Sequence, residues 1–250
     1  MSMKILQVEE IDKVYGENIT FQALKKVSFH VEKGEFVGIM GPSGSGKTTL
    51  LNAIATIDSP TGGAVEINGK NPYRLSKNEL AHFRRQELGF VFQDFNLLDT
   101  LTVKQNILLP LTLAGCHLQE MERRLQIIAN ELGFQDILNK RTYEISGGQA
   151  QRTAIARAVI HEPSIVLADE PTGNLDSNAS EDVLSIMQQL NKQGTTMVMV
   201  THDAYAASFC DRILFIKDGE LHAEVERPAT EVLFREQIAA TLSSLRGQHT

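Results

Sequence analysis

Cysteine is scarce in this chain of 250 residues: Cys116 and Cys210 are too few and too scattered for a disulfide framework or a zinc site, so two reduced thiols are expected. Long apolar runs are missing too. No stretch approaches the ~18–20 residues that a bilayer crossing needs, and residues 1–10 place charges where a signal peptide carries its apolar run. A cytosolic protein is expected, and any path across a membrane would have to come from a separate polypeptide. An excess of positive charge is also lacking. The balance of basic and acidic side chains, 24 − 31 = −7, argues against a nucleic-acid binder working through a broad basic face. It leaves contact with another protein open. No internal repeat, low-complexity segment or long heptad insert is present.

Apolar residues at 42% and charged residues at 22% are ordinary for a globular protein, and the length suits one large domain with a full core or two small ones. Short β-rich runs open the chain at residues 5–8 and 27–31. Residues 36–40 are almost continuously apolar, as in a strand covered on both faces. This run feeds a glycine-rich loop and a helical stretch over 48–55. Residues 58–63 and 69–72 read as turns, and 88–92 as a further strand ending at Gln93. From 102 to about 141 the periodicity becomes helical: Leu118, Met121, Leu125, Ile128 and Leu132 recur at three- and four-residue spacing, with Gly133 as a C-terminal cap. Strands return at 165–168, 196–200 and 213–216, and their alternation with helices predicts a largely parallel sheet. Residues 230–240 read as an amphipathic helix packed on the core.

The chemistry starts in the glycine loop, Gly41, Pro42, Ser43, Gly44, Ser45, Gly46, Lys47 and Thr48. Its glycines let successive N–H groups point at phosphate oxygens, and the helix that follows aims its positive end at the same anion. Lys47 adds a charge for the β- and γ-phosphates, and the Thr48 hydroxyl can ligate magnesium. Asp169 ends the buried run at 165–168, at the strand edge where ligands of open α/β sheets gather. Its expected role is magnesium coordination. Glu170 follows and can orient or deprotonate the water that attacks the γ-phosphate.

A rarer pattern lies between them. Ser146, Gly147, Gly148 and Gln149 precede a helix-like segment over 151–158. Free backbone N–H groups at Gly147 and Gly148 and the Ser146 hydroxyl make a second anion site in a chain that already has one. The economical solution is that this site completes the nucleotide pocket of another copy.

Together these motifs resemble the nucleotide-binding subunit of an ATP-binding-cassette (ABC) transporter, and the resemblance covers nearly the whole chain. It implies an α/β fold of the P-loop NTPase class: a mostly parallel central sheet, an antiparallel β edge region and a helical subdomain insert. The expected division is a core of 1–92 and 150–227, a helical subdomain over 93–149 and a helical tail over 228–250. ATP and Mg2+ are the implied ligands, and two chains would sandwich two nucleotides. By the same resemblance Tyr15 stacks on adenine, Thr49 contacts the α-phosphate and Gln93 touches magnesium while linking core to insert. The loop of Gly173, Asn174, Leu175 and Asp176 senses the opposite site, and His202 grips the γ-phosphate. His30, His82, His117, His161, His222 and His249 are read as non-catalytic. Two departures, Ile145 where leucine is commoner and Ala150 where a polar residue is frequent, remove no phosphate donor.

The run from Ala168 to Ser177 resembles cassettes paired with lipoprotein-release, macrolide-efflux and cell-division permeases. Residues 92–103 and 206–219 look like the bacitracin-resistance type of antimicrobial-peptide transporter. That likeness implies a permease that frees or expels peptide antibiotics, often beside a sensor histidine kinase, with this chain on the inner face of the cell membrane. The alternative is a complex that signals across the membrane, as in cell division, without moving a solute.

Overall fold

The computed structural model describes residues 3–16 and 19–246. His249 and both ends of the expected 1–250 domain lie outside the described residues. The apolar run at 36–40 becomes β3 (Phe36–Met40), every residue of it buried. It sits inside a six-stranded sheet of order β5-β6-β7-β3-β8-β9. Its neighbours are β5 (Leu88–Val91), β6 (Ile165–Asp169), β7 (Met197–Val200), β8 (Arg212–Lys217) and β9 (Glu220–Glu226). All pairings are parallel except β8 with β9. A second, antiparallel sheet has the order β2-β1-β4, built from β1 (Lys4–Tyr15), β2 (Phe21–Glu32) and β4 (Gly62–Ile67).

Strand alternation splits the core into two layers. Val37 and Ile39 of β3, with Val198, Val200, Leu214 and Ile216, face the antiparallel sheet and Leu50, Leu51 and Ile54 of α1 (Lys47–Ile54). Phe36 and Met40, with Val166, Met199 and Phe215, face the other helices. These are α3 (Val103–Leu113), α4 (Leu118–Leu132), α5 (Gly147–Val159) and α6 (Ser177–Lys192). Gly133 does cap α4 in the left-handed conformation, φ 69°. The tail forms α8 (Glu231–Arg246), held on the core by Phe234, Ile238 and Leu245.

Several elements exceed the expectation. The runs at 5–8 and 27–31 extend into strands of 12 residues each, because they pair with each other, and β1 with β4 as well, through their polar stretches. β4 starts at Gly62, inside the segment read as a turn. α2 (Lys77–Glu87) is polar along most of its length and is announced by a capping box, Ser76 with Glu79, that the periodicity does not show. β9 pairs only at the sheet's edge, which its alternating exposure reflects. The boundary drawn at 149/150 falls within α5, whose buried side chains join α3 on one side to β5 on the other.

Candidate functional site

The phosphate loop leaves β3 at the end where all five parallel strands finish. Gly46, with φ 101°, precedes α1, and a Cβ there would stand 2.5 Å from the Ala23 carbonyl oxygen. Only glycine allows the loop to close this tightly against β2. The Lys47 ammonium folds back over the loop, donating to the carbonyls of Gly41 (3.0 Å) and Pro42 (2.8 Å). Burial pulls its pKa down, and the carboxylates of Glu170 and Asp169 push it back up. Thr48 and Thr49 lie in the first turn of α1. The Ser45 hydroxyl is buried and has no hydrogen-bond partner among the described residues.

Tyr15 closes β1 beside this helix. Its hydroxyl donates to Asp58 Oδ2 (2.6 Å), and the Lys13 ammonium stands 4.8 Å from the ring centroid. Lys13 also bonds Asp58. Burial and the Asp58 carboxylate raise the tyrosine pKa, against a contact with Thr49 that lowers it. The residue nonetheless remains 40% exposed.

Asp169 ends β6 and Glu170 follows it, and register places Asp169 opposite Val200 of β7. Asp169 is half-buried, and its pKa is raised by desolvation and by Glu170 against the pull of Lys47. Glu170 takes a left-handed conformation (φ 44°), held by its N–H to the Val200 carbonyl (2.9 Å) and by Gly173 N–H to its own carbonyl (2.9 Å). Strain of this kind persists only where surrounding bonds enforce it. His202, just past β7, brings Nδ1 to 2.9 Å from Glu170 Oε2. A cavity of about 630 Å³ opens here, lined by Glu170, Thr172, Gly173, Thr201, His202 and Tyr205 among others.

The remaining expected residues form a second group. Gln93 packs on Gly173 and its amide reaches Asn174 Oδ1 (3.4 Å). Asn174 answers with bonds to the Gln93 carbonyl and to Asp94. Ser146 is the N-cap of α5, forming a capping box with Gln149. The helix thus starts at Gly147, four residues ahead of the segment read as helical. Asp176 is the N-cap of α6, accepting from Ala179 N–H. Gly147 and Gly148 face Leu175 and Ala179, so the starts of α5 and α6 lie together.

Two residues of α5 had no role in the sequence. Gln151, fully buried, donates to the carbonyls of Phe92 and Pro171. Arg157 donates to the carbonyls of Phe95 (2.9 Å) and Asn96 (2.6 Å), both in the left-handed region. The only signal was an arginine among buried alanines. Beside it runs a groove of about 420 Å³, walled by Phe90, Phe92, Leu98, Leu109 and Leu113 and carrying Arg84, Arg85 and Arg157.

Comparison with known proteins identifies a family for the chain. Residues 24–173 match the family described as ABC transporter. The ABC transporter ATP-binding protein YxdL of Bacillus subtilis is 58% identical over 97% of this chain and 95% of its own. The bacitracin export ATP-binding protein BceA of Halalkalibacterium halodurans is 52% identical over 90% of each. A solved dimeric structure of the ATP-binding cassette MJ0796, bound to ADP and Pi, superposes with a TM-score of 0.81 at 39% identity. It covers 90% of this chain and all of that one. With this family match and these identities, the chain belongs to the ABC transporter family as an ATP-hydrolysing cassette.

Proposed function

We propose that this chain is the motor of a membrane permease that expels or clears peptide antibiotics. It would act as a homodimer with two ATP molecules between the copies, on the cytoplasmic face of the membrane. The observation that carries the reading is the convergence of Lys47, Asp169, Glu170 and His202 at neighbouring strand ends, while Ser146 caps a different helix. One chain holds a phosphate site with an acid pair, plus a second anion site for another copy's nucleotide. The BceA name supplies the substrate class. Among the described residues no helix is long and apolar enough to cross a membrane, and in this reading the permease is a separate component.

Each residue then has a task. Tyr15, fixed at its hydroxyl and covered by Lys13 on one side, offers its exposed ring surface to adenine. The loop amides of Gly41 to Gly46 and the first turn of α1 receive the phosphates, with Thr49 at the α-phosphate. Lys47 leaves two neutral carbonyls for charged phosphate oxygens, the stronger class of partner. Glu170 holds one carboxylate oxygen against His202, which leaves Oε1 to orient the attacking water and take its proton. Asp176 and Asn174 tie this site to the start of α6.

Thr48, Gln93 and Asp169 offer a hydroxyl, an amide and a half-buried carboxylate, the hard oxygen donors that suit Mg2+. Bound there, the ion would neutralise charge between the β- and γ-phosphates. Asp169 would supply the charge that holds it, which relieves the repulsion from Glu170.

Closure of two copies would move the groove beside Gln93 and Phe95, where a cytosolic permease helix docks in this reading. The test is affinity purification from gently solubilised native membranes, with mass spectrometry of what accompanies the chain. A large polytopic permease, with or without a sensor histidine kinase, supports the reading. Cell-division proteins would favour the signalling alternative, and no membrane protein at all would overturn the transporter role.

A further inference from the structure

The C-terminal helix reaches back to the segment that carries His202. After His202 the chain turns into α7 (Ala204–Ala207), a single turn of helix. Side chains hold this turn at its start: Asp203 N–H donates to Thr201 Oγ1 (3.0 Å), and Asp203 Oδ1 accepts from Tyr205 N–H (2.9 Å). Tyr205 lines the same cavity as Glu170 and His202. α8 lays the Arg235 guanidinium over the Tyr205 ring, 4.7 Å from its centroid. Arg235 Nε also donates to Ser208 Oγ (3.3 Å), and that hydroxyl donates to the Tyr205 carbonyl (2.7 Å). One turn earlier on α8, Glu231 pairs with the same guanidinium. Arg227 completes the arrangement by donating to the Ser208 and Cys210 carbonyls while standing over Phe234 of α8.

We propose that α8 is a latch on the His202 segment, with Arg235 and Tyr205 as positioning residues for ATP hydrolysis. The proposal rests on the ATPase reading above. A one-turn helix has too few hydrogen bonds to hold its own shape, and the His202 side chain is 67% exposed, with Glu170 as its partner. Its aim at the Glu170 carboxylate therefore depends on what fixes α7. α8 can fix it, because Phe234 and Ile238, buried on either side of Arg235 in sequence, leave the helix no freedom to slide. Every residue of the latch lies beyond the 24–173 stretch that matches the family, so it belongs to the part of the chain that match does not describe.

The test compares the full-length chain with Arg235→Ala, Arg235→Lys and Tyr205→Leu by steady-state ATP hydrolysis, nucleotide affinity and thermal unfolding. The latch predicts that Arg235→Ala lowers kcat about fivefold, the scale of one lost cation–π contact. KM for ATP stays within about twofold, and Arg235→Lys, which keeps a cation over the ring, restores most of the rate. Tyr205→Leu should match Arg235→Ala, and it decides the matter if the arginine variant does not fold. An unchanged kcat in the folded variants would overturn the latch. So would a loss that follows the melting temperature and is not rescued by lysine. Glu170→Gln serves as the reference: a wild-type chain that does not hydrolyse ATP, or a Glu170→Gln chain that still does, would bring down the ATPase reading itself. An active wild type with an equally active Arg235→Ala sinks the latch alone.

Discussion

Glu170 Oε2 and His202 Nδ1 lie 2.9 Å apart across the ends of two neighbouring parallel strands. The acid and the histidine are 32 positions apart in sequence, and each lies within two residues of the end of a strand that pairs with the other's. Each would be unremarkable on a surface. Together they form a polar cluster near a lysine that bonds its own loop.

Replacing Glu170 by glutamine keeps the contact to His202 and removes the base. Hydrolysis should slow by at least about a hundredfold, the lower range for loss of a positioned general base. ATP binding should persist, and dimers should accumulate with ATP in size-exclusion chromatography with light scattering. Normal steady-state turnover in this variant would refute the assignment.

Ser146→Arg removes the cap of α5 and puts a bulky cation at the second anion site. The lost cap costs about 1 kcal/mol, which leaves the chain folded. One chain should still bind ATP, while dimer closure fails. ATP-driven dimers seen by sedimentation velocity would count against the shared site.

Arg157→Ala leaves the carbonyls of Phe95 and Asn96 without their donors and frees two left-handed residues. Stability should fall by about 1–3 kcal/mol in urea unfolding, the cost of leaving polar groups unpaired. ATP affinity should stay, since Arg157 bonds no residue of the phosphate loop, and co-purification of the permease should weaken. Retention of the permease at wild-type yield would show that the groove beside Gln93 is not its dock.

Glu87 joins three pieces of chain, accepting from Ser164, Asn68 and Lys70. Burial alone would raise its pKa, but these bonds hold it below the ordinary glutamate value. The unfolded chain therefore binds the proton more readily, so the stabilisation is present above the ordinary value and is lost as pH falls through the folded one. Glu87→Gln should cost about 1–2 kcal/mol at neutral pH. The gap to wild type should close in acid, as followed by thermal unfolding against pH. A gap independent of pH would show that the carboxylate charge is not what matters.

Much of the site could be read in the chain because its parts are local. The loop from Gly41 to Thr48, the Asp169–Glu170 pair and the Ser146–Gln149 turn each lie within a few residues, and each rests on a strand or helix whose periodicity shows. The strand order was out of reach, since β3 lies between β7 and β8, more than 150 residues downstream. So were α2 and β9: the first is too polar for an apolar stripe, and the second is held by one neighbour.

Sequence by itself determined where a glycine loop leads from a strand into a helix and where a serine caps a second helix start, because capping and glycine freedom act over a few bonds. Tertiary structure alone decided that His202 meets Glu170, that Arg157 holds the bend after Gln93 and that Arg235 sits on Tyr205. Those pairs lie 30 to 62 residues apart, by subtraction of their numbers. Only the packing of strands and helices into two layers brings such side chains within bonding distance, and no local pattern encodes that packing.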